Sequence, residues 1–312
     1  MEMRSGTVEG VVPAMVTPMH EDGAVDPETA LQLLGILQAS GVSAVMVMGT
    51  TGEGALLDEQ ERLRLLDAIG TRHWTLPVIA HVGHPSTYHT VRLAVRAVER
   101  GCSAVSAVTP YYYSYDQNAL AEHFTAVARA IRPAGLYLYT IPAHTHNPVE
   151  PDLLADLLAR ADNIVGIKDS TGEARLLSAY AQVCRAAGAA VLSGNDRLFL
   201  HGLTLGTSGA VTSAAGVYPE AYRAVWDAWQ DGEHNAAVQA QLHIDALCTI
   251  FRDGAQLSLY KAALGLRGLA VGPVRAPLRP ALAADIRRLE REIGALGLGG
   301  PLPGPPAPRV QA

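Results

Sequence analysis

The stretch Asn163-Ile164-Val165-Gly166-Ile167-Lys168-Asp169-Ser170 is an apolar run that delivers a lysine at its C-terminal end. The chain has 24 basic residues, and only Lys168 and Lys261 are lysines, so arginine carries the surface positive charge. Burying an unpaired ammonium is costly, and desolvation favours the neutral amine. A neutral amine on a rigid strand is a nucleophile for a carbonyl carbon. The alternative is a strand-end lysine that snorkels to water or pairs with Asp169.

The strand pattern shows what must position such an amine. Apolar runs alternate with capped helices eight times. Strands are predicted over 10–17, 43–48, 76–82, 103–108, 135–139, 164–168, 190–193 and 209–212. Asp26-Pro27 starts the first helix, and Asp58 with Glu61 forms a capping box for the second. Ser86, Asp116 and Pro151 start later helices. Apolar strands alternating with helices indicate a parallel sheet covered on both faces. Eight units suit an α/β architecture, a (β/α)₈ TIM barrel spanning residues 1–232. A doubly wound open sheet is the competing fold, but no GxGxxG turn follows an early strand. From Tyr218 the pattern is helical. Residues 233–296 are predicted as a C-terminal helical appendix, and the Gly/Pro-rich tail 297–312 as disordered.

Barrel enzymes place reactive groups at the C-terminal ends of strands. Those ends supply Gly49-Thr50-Thr51-Gly52, Tyr111 and Tyr112, Tyr139, Lys168, and Gly194-Asn195-Asp196. The Gly49–Gly52 loop offers consecutive N–H groups and two hydroxyls, a concave donor set for a carboxylate. A tyrosine hydroxyl near the amine can relay the protons that iminium formation moves. The set describes a 2-oxo acid, its carboxylate in the loop and its ketone at Lys168. Each part alone has a plainer reading: a turn, a packing tyrosine run, a core aromatic.

Length and composition narrow the function classes. The chain has 312 residues, a net charge of −6 and 49% hydrophobic residues. That argues against nucleic-acid or membrane partners. The three scattered cysteines suit a reducing compartment, and the N-terminus lacks a signal pattern, so a cytoplasmic location is expected.

Five stretches carry a resemblance over about residues 8–290: Gly49-Thr50-Thr51-Gly52-Glu53, Thr109-Pro110-Tyr111-Tyr112, Tyr139-Thr140-Ile141-Pro142, Gly166-Ile167-Lys168-Asp169 and Ser193-Gly194-Asn195-Asp196. In order and spacing the chain resembles the dihydrodipicolinate synthase / N-acetylneuraminate lyase family of class I pyruvate-dependent aldolases. The resemblance implies Lys168 as the Schiff-base lysine and Tyr139 as the proton-relaying tyrosine. It also implies that Thr50 and Thr51 bind the carboxylate. Thr50 would link Tyr139 to Tyr112, which reaches a neighbouring subunit's site in a homotetramer built as a dimer of dimers. No metal or organic cofactor is implied.

Residues near these motifs bear on the branch of the family. His144 stands where dihydrodipicolinate synthases carry an arginine, and imidazole does not replace a bidentate guanidinium. Lys168-Asp169-Ser170 resembles the 2-keto-3-deoxy sugar acid and 4-hydroxy-2-oxoglutarate aldolases. Ser170 is placed to bond a substrate hydroxyl. Gly194, Asn195 and Val211 join the substrate-binding set, and His84, Ser213 and Val217 are candidates for the acceptor pocket. The expected reaction is reversible aldol cleavage or condensation of pyruvate with an aldehyde. A 4-hydroxy-tetrahydrodipicolinate synthase and a dehydratase of the same family are alternatives. From other classes, a metal-dependent aldolase would gather His81, His84, His144 and His146. A non-catalytic 2-oxo acid-binding barrel would need the loop but not Lys168 with Tyr139.

Overall fold

The computed structural model describes residues 3–302. Eight parallel strands form one sheet: β1 (Gly10–Pro13), β2 (Val45–Val47), β3 (Val78–His81), β4 (Ala104–Val108), β5 (Gly135–Thr140), β6 (Ile164–Asp169), β7 (Ala190–Ser193) and β8 (Gly209–Thr212). Their order runs β1-β8-β7-β6-β5-β4-β3-β2. The remaining gap, between β1 and β2, is crossed by Ser43 N to Val11 O at 2.9 Å and Met15 N to Met46 O at 2.9 Å. A bridge between Ala14 and Met46 completes the ring. The fold is the expected (β/α)₈ barrel.

The helices follow the strands in the expected alternation. They are α1 (Pro27–Ala39), α2 (Glu59–Gly70), α3 (Thr87–Glu99), α4 (Gln117–Ile131), the single turn α5 (Pro142–Thr145), α6 (Pro151–Arg160), α7 (Ala174–Ala187), α8 (Phe199–Leu205) and α9 (Pro219–Gln230). Asp26 accepts from Thr29 N, and Asp58 and Glu61 form the reciprocal capping box. Ser86 precedes α3 without a side-chain cap, and its N–H donates to His84 Nδ1. The core has two layers. One lies between sheet and helices. The other fills the barrel, where Val12, Met46, Ile79, Tyr137, Val165 and Leu192 meet.

Three more helices follow: α10 (His234–Ile250), α11 (Ser258–Leu266) and α12 (Ala283–Ala295). Helix α10 packs along α9, and its C-terminal end returns to the barrel mouth. Of the tail expected to be disordered, residues 297–302 fall among the described residues. There Arg267 Nε donates to Gly300 O at 3.0 Å, and Leu302 N donates to Arg267 O at 3.1 Å. The backbone carbonyls thus find partners despite the glycine-rich composition. The rest of that tail, 303–312, lies outside the described residues.

Candidate active site

Lys168 reaches the interior through a local irregularity of its strand. The register of β5 against β6 shifts between Leu136 and Tyr137, so Val165 is skipped. Bulges of this kind re-aim side chains near functional sites. Val165 faces the barrel interior, Ile167 the helix layer, and Lys168 lines the cavity at the barrel mouth. Gly166 is required beside the bulge: a Cβ there would overlap Ala190 O and touch the Tyr137 ring at 3.0 Å.

Tyr139 is the register partner of Lys168 on β5. The Lys168 nitrogen lies 4.3 Å from the centroid of the Tyr139 ring. Lys168 is 5% exposed, and among the described residues no carboxylate is within ion-pairing distance of it. Asp169 instead accepts from Thr171 N at 2.9 Å, on the other side of the strand. The pairing of Lys168 with Asp169 is therefore not made. On the opposite wall, Thr50 Oγ1 is 3.3 Å from Tyr139 Oη. Thr51 Oγ1 bonds Ser213 Oγ at 2.6 Å. Among the described residues the N–H groups of Thr50 and Thr51 have no hydrogen-bond partner, so they remain available to an anion.

The cavity of about 310 Å³ brings together Thr50, Thr51, Tyr139, Lys168, Ser170 and His144. Gly194, Asn195, Val211 and Ser213 line it as well. Gly194 is another close approach: a Cβ would overlap Ser170 Oγ and lie 3.1 Å from Lys168 Cε. Gly49 lines an adjoining, more apolar chamber of about 440 Å³ that shares Thr50, Ile141 and His144 with the first. Gly52 sits behind the loop, its carbonyl held by Thr17 Oγ1 at 2.6 Å.

Several expected residues fall elsewhere. Tyr112 is 85% exposed, has a left-handed φ of 83° and touches the Tyr113 ring. It does not enter this chain's cavity. Val217 follows a 3-10 turn that carries it into the buried outer layer, and His84 turns outward to pack on His89. The four histidines do not converge. His81 is buried edge-on to Tyr139, His84 and His146 lie outside the cavity, and His144 is at its mouth.

Three further contributors shape the site: His81, which the sequence offered only as a metal ligand, Asp196, which it offered at a strand end, and one that it did not show. His81 packs against the Tyr139 ring with centroids 5.8 Å apart. Burial holds its pKa down to about 3, and the nearby Arg62 and Lys168 charges add to that, so the ring is neutral. Asp196 lines the cavity and accepts from Tyr222 Oη. Burial raises its pKa, and the Tyr222 bond opposes the rise. The third contributor is the α10–α11 connection with its flanks, where Cys248, Asp253, Leu257 and Tyr260 wall the cavity. Tyr139 and the Asn195-Asp196 pair were visible as strand-end residues. The return of a distant helix connection leaves no local signal.

Residues 7–295 match the dihydrodipicolinate synthetase family. An uncharacterized DapA-like lyase of Halobacterium salinarum is 36% identical over 296 residues, covering 93% of this chain and 95% of its own. A 4-hydroxy-tetrahydrodipicolinate synthase of Acidothermus cellulolyticus is 36% identical over 293 residues, covering 92% of each chain. Among solved structures, the E. coli K12 prophage protein YagE in complex with pyruvate superposes with a TM-score of 0.88 at 25% identity. That match covers 93% of this chain and 99% of the other. A dihydrodipicolinate synthase from Acinetobacter baumannii complexed with pyruvate gives 0.85 at 29% identity, covering 94% and 100%.

Proposed function

The chain belongs to the dihydrodipicolinate synthetase family, and on that premise we propose that it is a Schiff-base lyase acting on pyruvate and an aldehyde. The observation that carries this is Lys168, buried without a carboxylate partner and 4.3 Å from the Tyr139 ring at the inner end of the cavity. The pyruvate complexes of YagE and the Acinetobacter enzyme support the choice of oxo acid.

In the proposed reaction, the substrate carboxylate lies against the Thr50 and Thr51 N–H groups. The Lys168 nitrogen adds to the ketone carbon, and loss of water gives an iminium. Removal of a methyl proton yields the enamine, whose carbon attacks the aldehyde. Tyr139, bonded to Thr50, delivers the proton that the new alkoxide takes up. Hydrolysis frees a 4-hydroxy-2-oxo acid, and cleavage runs the same steps in reverse. No metal or organic cofactor takes part in this scheme.

A second reading, 4-hydroxy-tetrahydrodipicolinate synthase, is favoured by the relatives that carry that name. Against it, neither chamber has an arginine among its lining residues, and His144 stands at the mouth where an acceptor carboxylate would need a guanidinium. The aldolase reading with a hydroxylated or uncharged acceptor fits that composition better. Ser170 and Asn195 would meet the acceptor's oxygen atoms.

The protein is also proposed to assemble as a homotetramer in which Tyr112 enters a neighbour's site. Its exposure and left-handed backbone, unused within the chain, support this. Sedimentation at micromolar concentration tests the assembly, and mixing Lys168→Ala with Tyr112→Phe chains tests the shared site. The chemistry is tested by borohydride reduction with pyruvate. A mass increase that Lys168→Ala lacks is expected, and no adduct on the wild-type chain would falsify the mechanism. A panel of glyoxylate, glyceraldehyde and aspartate semialdehyde then separates the two readings.

A further inference from the structure

The second lysine is buried too. Lys261, on α11, is 5% exposed, and its nitrogen lies 2.7 Å from Glu53 Oε1. It also donates to Pro273 O at 2.6 Å. Glu53 ends the Gly49–Gly52 loop and is itself 3% exposed. Its other oxygen accepts from Arg275 N at 2.7 Å. The Arg275 guanidinium is committed to Glu61, at 2.6 and 2.7 Å, and to Leu56 O at 2.9 Å. Lys261 is therefore the side-chain cation that answers Glu53.

The loop is sharply turned at both ends. Met48 and Glu53, which bracket it, are both non-glycine residues in the left-handed region, at φ 59° and 56°. Conformations of that kind persist where the surroundings hold them. The loop's free N–H groups are the ones assigned to the substrate carboxylate. A buried, uncompensated carboxylate three residues from Thr50 would oppose that anion.

We propose that Lys261 is a positioning residue for the substrate carboxylate: its ion pair with Glu53 cancels a buried negative charge behind Thr50 and Thr51, so that their N–H groups can receive an anion. The inference rests on the pyruvate reading above and deepens it. Burial pulls the Lys261 pKa down and Glu53 opposes that, in keeping with a pair that depends on both partners.

The test uses the full chain with Lys261→Met, Glu53→Gln and the double substitution. Pyruvate KM and kcat are measured, and borohydride trapping is run on the same samples. Lys261→Met is expected to raise pyruvate KM about tenfold or more, with kcat changed by less than about threefold. Glu53→Gln is expected not to raise it, because the buried negative charge is gone while Lys261 keeps its positive one; the amide oxygen can answer only one of Lys261 and Arg275. The double substitution, with no charge left to cancel, is expected to return KM to within about threefold of wild type. An unchanged KM in Lys261→Met, or a double variant as impaired as that single one, overturns the proposal. If the methionine variant does not fold, Lys261→Arg and Lys261→Gln replace it. A raised KM confined to the glutamine variant supports the proposal, and equal values overturn it. An absent adduct on wild type removes the pyruvate reading itself. An adduct beside an unmoved KM removes only the role of Lys261.

Discussion

Lys168 and Tyr139 are register partners on adjacent parallel strands, and the amine lies over the ring rather than beside the hydroxyl. The ring therefore shields the nitrogen while its hydroxyl points across to Thr50. Imine formation and proton delivery are thereby assigned to different atoms of one contact. Tyr139→Phe should keep the shielding and lose the relay. The expected result is a kcat lower by about 10²–10⁴-fold, with the pyruvate adduct still trappable by borohydride. Equal loss of turnover and trapping would instead place the ring itself at the centre of the effect.

Gly194, just past β7, faces the Lys168 side chain. An added methyl must displace Ser170 Oγ and press on Lys168 Cε. Gly194→Ala is expected to cost about 1–3 kcal/mol of stability, as overpacked sites do. It should also lower kcat well beyond what that loss explains. Urea denaturation beside single-turnover kinetics checks both parts.

His81 and His123 set the acid limb of stability. Burial holds them down to about 3 and about 4, below the ordinary 6.5. Both folded values lie below the unfolded one, so the unfolded chain binds more protons as pH falls. Their contribution is complete above about pH 6.5 and is lost as pH drops toward 4 and 3. Each should remove up to about 2 kcal/mol between pH 7 and pH 5. His81→Gln and His123→Gln should each flatten that slope in chemical denaturation, and the double variant should flatten it further.

Two lysines, both buried, leave the native protein with no exposed lysine side chain for amine-directed reagents. A bulky acylating ester is expected to modify neither lysine until denaturant is added. Pyruvate with borohydride should label Lys168 alone. Peptide mapping that finds Lys261 acylated under native conditions would contradict its place in the ion pair.

The eight-fold alternation was legible because each buried strand is a short apolar run bounded by a cap or a glycine. The strand ends were legible for the same reason, since Thr50, Thr51, Tyr139 and Lys168 are the polar groups that stop those runs. The skipped residue Val165 was not visible, because a register shift depends on the neighbouring strand. Helix α5 has a single turn and no period to read. Glu53 read as part of a loop and Lys261 as part of an appendix helix, and their pairing across 208 residues appears only once the chain is folded. Cys248, Leu257 and Tyr260 entered the cavity wall by the same kind of return.

Along most of the ring, neighbouring strands share a ladder, but β1 and β2 are joined by little more than two backbone bonds and one bridge. Were the cylinder slit lengthwise, this is where it would tear first. The tear would release the Thr50 side and leave Lys168 and Tyr139 together on the intact far wall. Deuterium uptake at the amides of Ser43 and Met15 should therefore outrun uptake at the β5–β6 amides.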